Sequence, residues 1–397
     1  MQVEFSRYNL LVLRRDAHIR ILTDLLRTNP VVGVLGARQV GKTTLALQLA
    51  ETLRGPVHRF DLEDPADLAR LGDPKLVLEP IRGTVILDEI QRRAELFPIL
   101  RVLADRPRTP ARFLVLGSAS PDLLRQSSET LAGRIAFHEL AGFGLDEVGV
   151  DALERLWVRG GFPRSFLAES DVESERWRRD FIRTFLERDL GRLGVRIPSD
   201  TIGRFWEMLA HYHGQTWNAS ELARAFGVSD RTVNRYLGVL EATFVVRKVR
   251  PWFHNISKRQ VKAPKVYLAD TGLLHSLLGL GTLRELTGHP KVGASWEGLA
   301  IEVVLRTLRA WSSETYFWGL HTGAELDLLV VRGNRRIGFE IKRTTAPRVT
   351  PSMRSALQVL QLEHLYVIHA GDASFPMGEN MKALPLTRVM DELEPLR

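Results

Sequence analysis

Residues Gly36, Ala37, Arg38, Gln39, Val40, Gly41, Lys42 and Thr43 follow the spacing G-x-x-x-x-G-K-[ST], with Thr44 next in line. A loop of this kind does phosphate chemistry. Its backbone N–H groups and the first turn of the following helix wrap the anion, and its glycines let the main chain approach without a Cβ in the way. The Lys42 ammonium is expected to neutralise the β- and γ-phosphates of ATP, and the Thr43 hydroxyl to ligate Mg2+. Downstream, the apolar run of TVILDEIQ leads into Asp88 and Glu89. Asp88 is expected to complete the Mg2+ shell beside the loop from Gly36 to Thr44, and Glu89 to polarise the attacking water as general base. The other reading of this pair is two solvated turn carboxylates. A further apolar run, FLVLGSAS, ends on Ser118, a short polar side chain suited to sensing the γ-phosphate or positioning water, with Ser120 an equal candidate. Arg134, in ETLAGRIAFHEL, begins another apparent strand and is either an arginine finger acting across a subunit interface or an ordinary surface arginine.

A second group of chemistry-bearing residues lies far along the chain, in GAELDLLVVRGNRRIGFEIKRT. The pattern predicts a β-hairpin with Gly333 and Asn334 near its turn. Strand side chains alternate faces, so Glu325 and Asp327 share one side, as do Glu340 and Lys342. The register could bring Asp327, Glu340 and Lys342 together.

Positioning the first group requires a parallel sheet. VVGVLG (31–36), TVILD (84–88) and RFLVLG (112–117) read as buried parallel strands, with helical stretches at 43–53 and 97–104 between them. That alternation predicts a three-layer α/β domain, with its chemistry at the C-terminal strand ends. From about 151 to 196 the pattern turns helical, with apolar Phe181, Phe185 and Leu186. Residues 216–270 read as a helix-turn-helix followed by strands. From 293 a helix precedes alternating strand patterns.

The order of these features resembles a known group, the prokaryotic AAA+-like ATPases of the archaeal-ATPase branch that carry a C-terminal restriction-endonuclease-like, PD-(D/E)xK, domain. The matching pieces are GARQVGKTT, VILDEIQ, LVLGSAS, LAGRI, RGGFPRSF, FLERDL, ADTGLL, WEGLAIEVVL, GAELDLLV and FEIKRT, in family order from Gly36 to Thr344. The resemblance implies an ATP-binding module with a small helical lid, an oligomeric habit and a role on DNA. The expected fold is α/β and multidomain: a P-loop ATPase core over 1–150, a helical lid over 151–200, a winged helix over 201–275 and a nuclease-like α/β domain over 276–397. Asp327, Glu340 and Lys342 are similar to the D…ExK core of such nucleases. Asp327 and Glu340 would bind Mg2+, whose hard-oxygen preference suits carboxylates. Lys342 would orient or deprotonate the water and counter charge on the phosphorane. Glu297 matches the family's helical acid and would join the metal set. The alternative is a core kept for DNA binding or structure, without cleavage.

ASELARAFGVSDRTVNRYLGVLE reads as helix, turn, helix, with Ala223 as the small residue, Gly227 in the turn and Ser229 as N-cap. In the second helix Val233, Leu237 and Leu240 should face inward, and Arg231, Thr232, Asn234 and Arg235 outward, where they can reach phosphates and base edges. The next segment, FVVRKVRPWFHNISKRQVKAPKVYLAD, reads as a β-hairpin wing. Between Glu221 and Lys265 there are ten Lys/Arg and three Asp/Glu. The chain's net charge of +8 is concentrated in the same place: residues 1–150 carry +1, 151–292 carry +7 and 293–397 are neutral. A local basic surface points to a polyanion, DNA above all, with a protein-docking surface as the alternative.

Across all 397 residues there is no cysteine, which excludes disulfides, thiolate zinc sites, iron–sulfur clusters and cysteine nucleophiles. No apolar run approaches the roughly 20 residues of a membrane helix, so no membrane association is expected. The charged N-terminal segment reads as cytoplasmic rather than exported. The reading that follows is a cytoplasmic ATP-dependent motor or remodeller of the helicase or branch-migration type, acting on DNA in repair or recombination. It would be a homo-oligomer, with a hexamer as one form, if Arg134 acts in trans. The alternatives are a nucleotide-dependent switch docking a protein and an ATP-gated defence nuclease.

Overall fold

The computed structural model describes residues 3–5, 11–107, 110–118, 129–193, 195, 197–253, 261–321 and 323–396. The chain forms two compact units, one of residues 1–142 with 242–244 and the other of residues 143–241 with 245–397.

In the first unit a short antiparallel pair, β1 (Val3–Phe5) and β2 (Leu11–Leu13), precedes the helix Asp16–Thr28. The body of the unit is a five-stranded parallel sheet of β3 (Val31–Gly36), β4 (Val57–Asp61), β5 (Gly83–Asp88), β6 (Ala111–Ser118) and β7 (Ile135–Glu139), in the order β4-β5-β6-β3-β7. Strands β3, β5 and β6 are the three apolar runs expected from sequence, each within one residue of its predicted ends. They lie in the sheet interior and are buried along nearly their whole length, which is why they lack the polar alternation of a one-sided strand. The edge strands β4 and β7 are half-exposed and carry mixed sequence. One face packs Val85, Leu87 and Phe113 against Phe97, Leu100 and Leu103 of the helix Leu96–Ala104.

The second unit begins helically, as expected. The helix Asp171–Thr184 continues through a π-helical turn at Phe185–Asp189, and Phe162, Trp177, Phe181, Phe185 and Trp206 stack along it. The helices Ala219–Phe226 and Asp230–Ala242 follow, joined by a turn in which Gly227 takes φ +64°. Ser229 accepts a hydrogen bond from the Thr232 N–H (3.2 Å), the capping role expected of it. Val233, Leu237 and Leu240 are buried, also as expected.

Nine strands then form one mixed sheet: β8 (Gln215–Thr216), β9 (Val246–Pro251), β10 (Lys265–Leu268), β11 (Thr315–Gly319), β12 (Glu325–Arg332), β13 (Arg335–Lys342), β14 (His364–His369), β15 (Phe375–Gly378) and β16 (Met381–Pro385). Their order is β15-β16-β14-β13-β12-β11-β9-β10-β8. The strands after the helix-turn-helix thus continue into the sheet of the C-terminal region, because β9 pairs in parallel with β11. Of the wing expected over 244–270, β9 and β10 pair antiparallel, and residues 254–260 lie outside the described residues. β12 and β13 form the predicted hairpin, with Gly333 at φ +59° in a two-residue turn. The long helix Val292–Leu308 carries Glu297. Among the described residues no helix is long and apolar enough to cross a membrane.

Two motifs distant in sequence meet in this unit. Asp270 caps the helix Thr271–Leu277 through the Leu273 N–H (2.8 Å), and its other oxygen accepts from the Gly161 N–H (2.7 Å). Gly160 beside it has φ +74° and ψ −178°, a region open essentially to glycine alone, and a Cβ there would lie 2.2 Å from the half-buried Asp270 carboxylate. Gly160→Ala is therefore expected to destabilise the protein by about 3 kcal/mol or more. Urea unfolding monitored by tryptophan fluorescence measures this, and a loss below about 1 kcal/mol would mean the contact relaxes freely.

Candidate functional site

The phosphate-type loop leaves β3 at Gly36 and re-enters helix at Lys42. Its path needs glycine at the first position, since a Cβ on Gly36 would stand 2.2 Å from the Leu140 carbonyl oxygen. Gln39 (φ 61°) and Gly41 (φ 98°) both take left-handed backbone, which turns successive N–H groups inward in the manner of an anion nest. Ala37 and Val40 are buried and Thr44 is exposed. Arg38 lies 3.8 Å from Glu63.

Lys42 is almost fully buried, and its ammonium donates to the loop carbonyls of Gly36 (3.1 Å) and Ala37 (2.9 Å) and to the Ser118 hydroxyl (3.3 Å) at the end of β6. Burial lowers its pKa to about 8, against the opposing pull of Glu89 and Asp88. The Thr43 hydroxyl donates to Asp88 Oδ2 (2.8 Å). Hydroxyl and carboxylate therefore sit side by side, hard oxygens of the type Mg2+ accepts. Lys42, Thr43, Asp88 and Ser118, drawn from three strand ends, are thus brought together. Glu89 adopts φ 57°, uncommon for a residue with a side chain, while its N–H donates to Asp88 Oδ1 (3.1 Å). The Glu89 carboxylate accepts from the Gln91 side-chain amide. Burial raises the Glu89 pKa above the usual glutamate range, partly offset by Lys42.

One expected residue, Arg134, is not in this cluster. Ser120 lies outside the described residues. Arg134 immediately precedes β7 rather than beginning it, and its carbonyl accepts from the Val31 N–H at the start of β3. That is the end opposite Gly36, roughly 17 Å along the strand. Its guanidinium is paired with Asp105 at 2.6 and 3.0 Å. Arg134 therefore cannot reach the loop of its own unit. One residue was missed: Arg59, near the end of β4, lies 3.2 Å from Asp88 Oδ2 and 3.2 Å from Asp61. Its only signal in the sequence was an arginine in a short mixed run that does not read as a strand.

In the second unit the strand faces place the other group as the alternation predicts. Lys342 Nζ lies 2.7 Å from Glu340 Oε1, and the Ile341 N–H donates to Asp327 Oδ2 (2.9 Å). The expected Mg2+ set of Glu297, Asp327 and Glu340 is not what forms, however. Lys265, on β10 and only 3% exposed, puts its ammonium 3.3 Å from both Glu297 Oε1 and Asp327 Oδ1 and pairs with Glu325 as well. The Tyr267 hydroxyl donates to Glu297 Oε1 (2.5 Å). Among the described residues no three His, Asp or Glu side chains gather as a metal-holding group. Burial pushes the carboxyls of Glu297 and Glu340 up. Along the sequence Lys265 belongs to the basic wing segment, and the tertiary fold turns it inward instead.

The basic segment is partly neutralised in other places too. Arg247 pairs with Glu302 (2.7 Å) and Lys248 with Glu241. Lys258 and Arg259 lie outside the described residues. Arg224, Arg231, Arg235, Arg250 and Lys262 are exposed, as is Asn234, whose Oδ1 accepts from Trp217 Nε1 (2.9 Å).

A strand–loop–helix phosphate cradle with an acid pair at the end of β5, two strands away in the same sheet, marks an AAA-like P-loop ATPase, and residues 28–149 match the family described as an AAA domain. Residues 150–284 and 292–389 match two families described as domains of unknown function, DUF8612 and DUF4143. The uncharacterized proteins Mb2031c of Mycobacterium bovis and Rv2008c of Mycobacterium tuberculosis are each 49% identical to this chain over 381 residues, covering 96% of it and 85% of the relative. The chain belongs to the family of these mycobacterial proteins. Among solved structures, the Walker-type ATPase PABY2304 of Pyrococcus abyssi overlaps with a TM-score of 0.47 at 15% identity, over 70% of this chain and 99% of that one. The Thermotoga maritima RuvB Holliday junction branch migration motor overlaps with a TM-score of 0.31 at 17% identity, over 62% and 92%.

Proposed function

We propose that this ATPase is a motor or remodeller that works on DNA, of the helicase or branch-migration kind that serves repair and recombination. Backbone N–H groups from Gly36 to Thr44 and the Lys42 ammonium bind the phosphates of ATP, and Thr43 and Asp88 hold Mg2+. Mg2+, when bound, supplies polarisation of the phosphoryl oxygens. Glu89 accepts the proton of the attacking water, and Ser118, already hydrogen-bonded to Lys42, senses the γ-phosphate. In this reading residues 1–150 are the ATPase core, 151–200 a helical lid, 201–275 a winged helix and 276–397 a nuclease-like part that grips DNA. Arg134 acts in trans as the finger of a homo-oligomer such as a hexamer, because it has no reach to its own loop.

The observation that carries the DNA reading is the helix-turn-helix itself. Asn218 and Ser229 cap its two helices, Gly227 makes its turn, and Arg224, Arg231 and Arg235 are exposed on it. Cations at the start of a second helix of this kind reach backbone phosphates. A second reading, a nucleotide-dependent switch that docks a protein, is favoured by the acidic partners of Arg247, Lys248 and Lys265.

ATPase rates against single-stranded, duplex and four-way-junction DNA separate the two, with Lys42→Ala as the inactive control. The motor reading expects turnover stimulated by at least one DNA form, and a rate unchanged by all of them would leave the switch. Binding should also weaken steeply with salt. Arg231→Ala/Arg235→Ala is expected to lower DNA affinity about tenfold or more and to reduce the log–log salt slope by about 2, measured by fluorescence anisotropy from 50 to 200 mM salt.

A further inference from the structure

We propose that Lys265 is the resident cation of the acidic cluster in the second unit, and that this cluster is a metal-free site. The family resemblance implies Mg2+ here, and the residues present do not fit it. A divalent ion of that size takes about six oxygens in near-octahedral array at roughly 2.0–2.1 Å. The centre of this cluster is instead held by the Lys265 ammonium, 3.3 Å from Glu297 Oε1, 3.3 Å from Asp327 Oδ1 and paired with Glu325.

Protein donors other than Lys265 also bind these carboxylates. The Tyr267 hydroxyl donates to Glu297 Oε1, the Ile341 N–H to Asp327 Oδ2, and Lys342 pairs with Glu340 Oε1. Among the described residues Glu340 Oε2 is buried without a hydrogen-bond partner, and no three His, Asp or Glu side chains gather as a metal-holding group. The aromatic face of Phe317, with its centroid 5.7 Å from Lys265 Nζ, suits an ammonium and gives a metal nothing to coordinate.

Lys265 is also firmly held. It lies on β10 between β8 and β9, opposite Thr216 on one side and Val249 on the other, so its backbone cannot withdraw without breaking two strand pairings. A buried ammonium among carboxylates performs the charge compensation that a metal would otherwise supply, since buried charges persist only when paired. The cluster then fixes β10, β12, β13 and the helix Val292–Leu308 to one another and leaves Lys342, with its side chain 44% exposed, as the cation that faces solvent. This holds whether or not the chain acts on DNA.

The test is titration of the full-length protein, free of nucleotide, with Mn2+ by calorimetry. The parent protein is expected to show no saturable Mn2+ site at up to millimolar ion, apart from any that Asp88→Asn removes. A single-site isotherm that survives Asp88→Asn and is lost in Asp327→Asn overturns the proposal. Lys265→Met should create a Mn2+ site at least tenfold tighter than anything in the parent, lost again when Asp327→Asn is added. A folded Lys265→Met that still binds no Mn2+ also overturns it, because the ammonium would then not be what keeps the ion out. Should Lys265→Met fail to fold, the parent titration decides alone.

Discussion

Replacing Glu89 by Gln is expected to cut steady-state ATP turnover by about 10²–10³-fold while leaving ATP affinity within roughly threefold of the parent protein. The separation follows from the geometry. Phosphate binding rests on the loop main chain, Lys42 and Thr43, none of which depends on the Glu89 charge for its position. Thr43 is instead fixed by Asp88 and Lys42 by the carbonyls of Gly36 and Ala37. Glu89 stands one residue beyond Asp88 in left-handed backbone, its carboxylate steadied by Gln91, and Gln keeps its size while removing its basicity. Burial raises the pKa of Glu89, so its basic form is lost at a higher pH than an exposed glutamate's. The base works ionised, and turnover should therefore fall on acidification with an acid limb displaced upward from the usual carboxylate range. Phosphate release over pH 5–9, together with equilibrium binding of a fluorescent nucleotide, reads both quantities. A Glu89→Gln turnover within a few-fold of the parent would assign the base to another residue.

The nucleotide site was legible in sequence because its parts are local. Spacing alone sets Gly36, Gly41, Lys42 and Thr43 in one loop, and an apolar run ending in acids marks a strand's C-terminal end. The three central strands were legible for a related reason: burial on both faces demands continuous apolar residues. Arg59 was not, because β4 is an edge strand whose sequence VHRFD carries no such pattern. The hairpin of β12 and β13 was readable from alternation, and so was the approach of Asp327, Glu340 and Lys342. What alternation could not report is who neutralises them. Lys265 counts as +1 in a basic stretch when charges are summed along the chain, yet its partners are Glu297, Glu325 and Asp327, some 30 to 60 residues later. Arg247 is likewise matched by Glu302. Charge density along a sequence therefore overstates the positive surface wherever strand pairing carries cations inward, as β9 and β10 do here.

Substituting two buried histidines should make that same unit less sensitive to acid, by about 5 kcal/mol between pH 7 and pH 4.5. The hydrogen bonds and burial favour the neutral form of both rings. His213 Nδ1 accepts from the Leu268 N–H (3.0 Å), which leaves Nε2 to donate to the Ala294 carbonyl (3.2 Å). His275 Nδ1 donates to the Val158 carbonyl (3.1 Å), and its Nε2 accepts from Ser295, whose oxygen in turn accepts from Trp157 Nε1 (2.9 Å). A second proton on His213 would face the Leu268 N–H with no acceptor, and one on His275 Nε2 would require the Ser295 hydroxyl to turn away. Burial accordingly lowers the pKa to about 3 for His213, reinforced by His275 and Lys291, and to about 4 for His275, where Arg178 and His289 act in the same direction. The sign follows from linkage. In the unfolded chain both rings take a proton below about pH 6.5 and in the folded chain they do not, so their contribution is present above that pH and is lost on acidification through the folded values. Each ring therefore costs about 2–3 kcal/mol by pH 4.5. The carboxyls of Glu297 and Glu340, raised by burial, titrate in the opposite sense, so a bare stability–pH curve of the parent would mix the two effects. The difference between parent and His213→Gln/His275→Asn removes them. The variant should be less stable at pH 7, because each amide can match the ring's donor but cannot also place its carbonyl where the ring's accepting nitrogen stood. Its deficit should shrink by about 5 kcal/mol at pH 4.5 in urea unfolding. A deficit of the same size at both pH values would mean that the rings accept protons in the folded state as readily as in the unfolded chain.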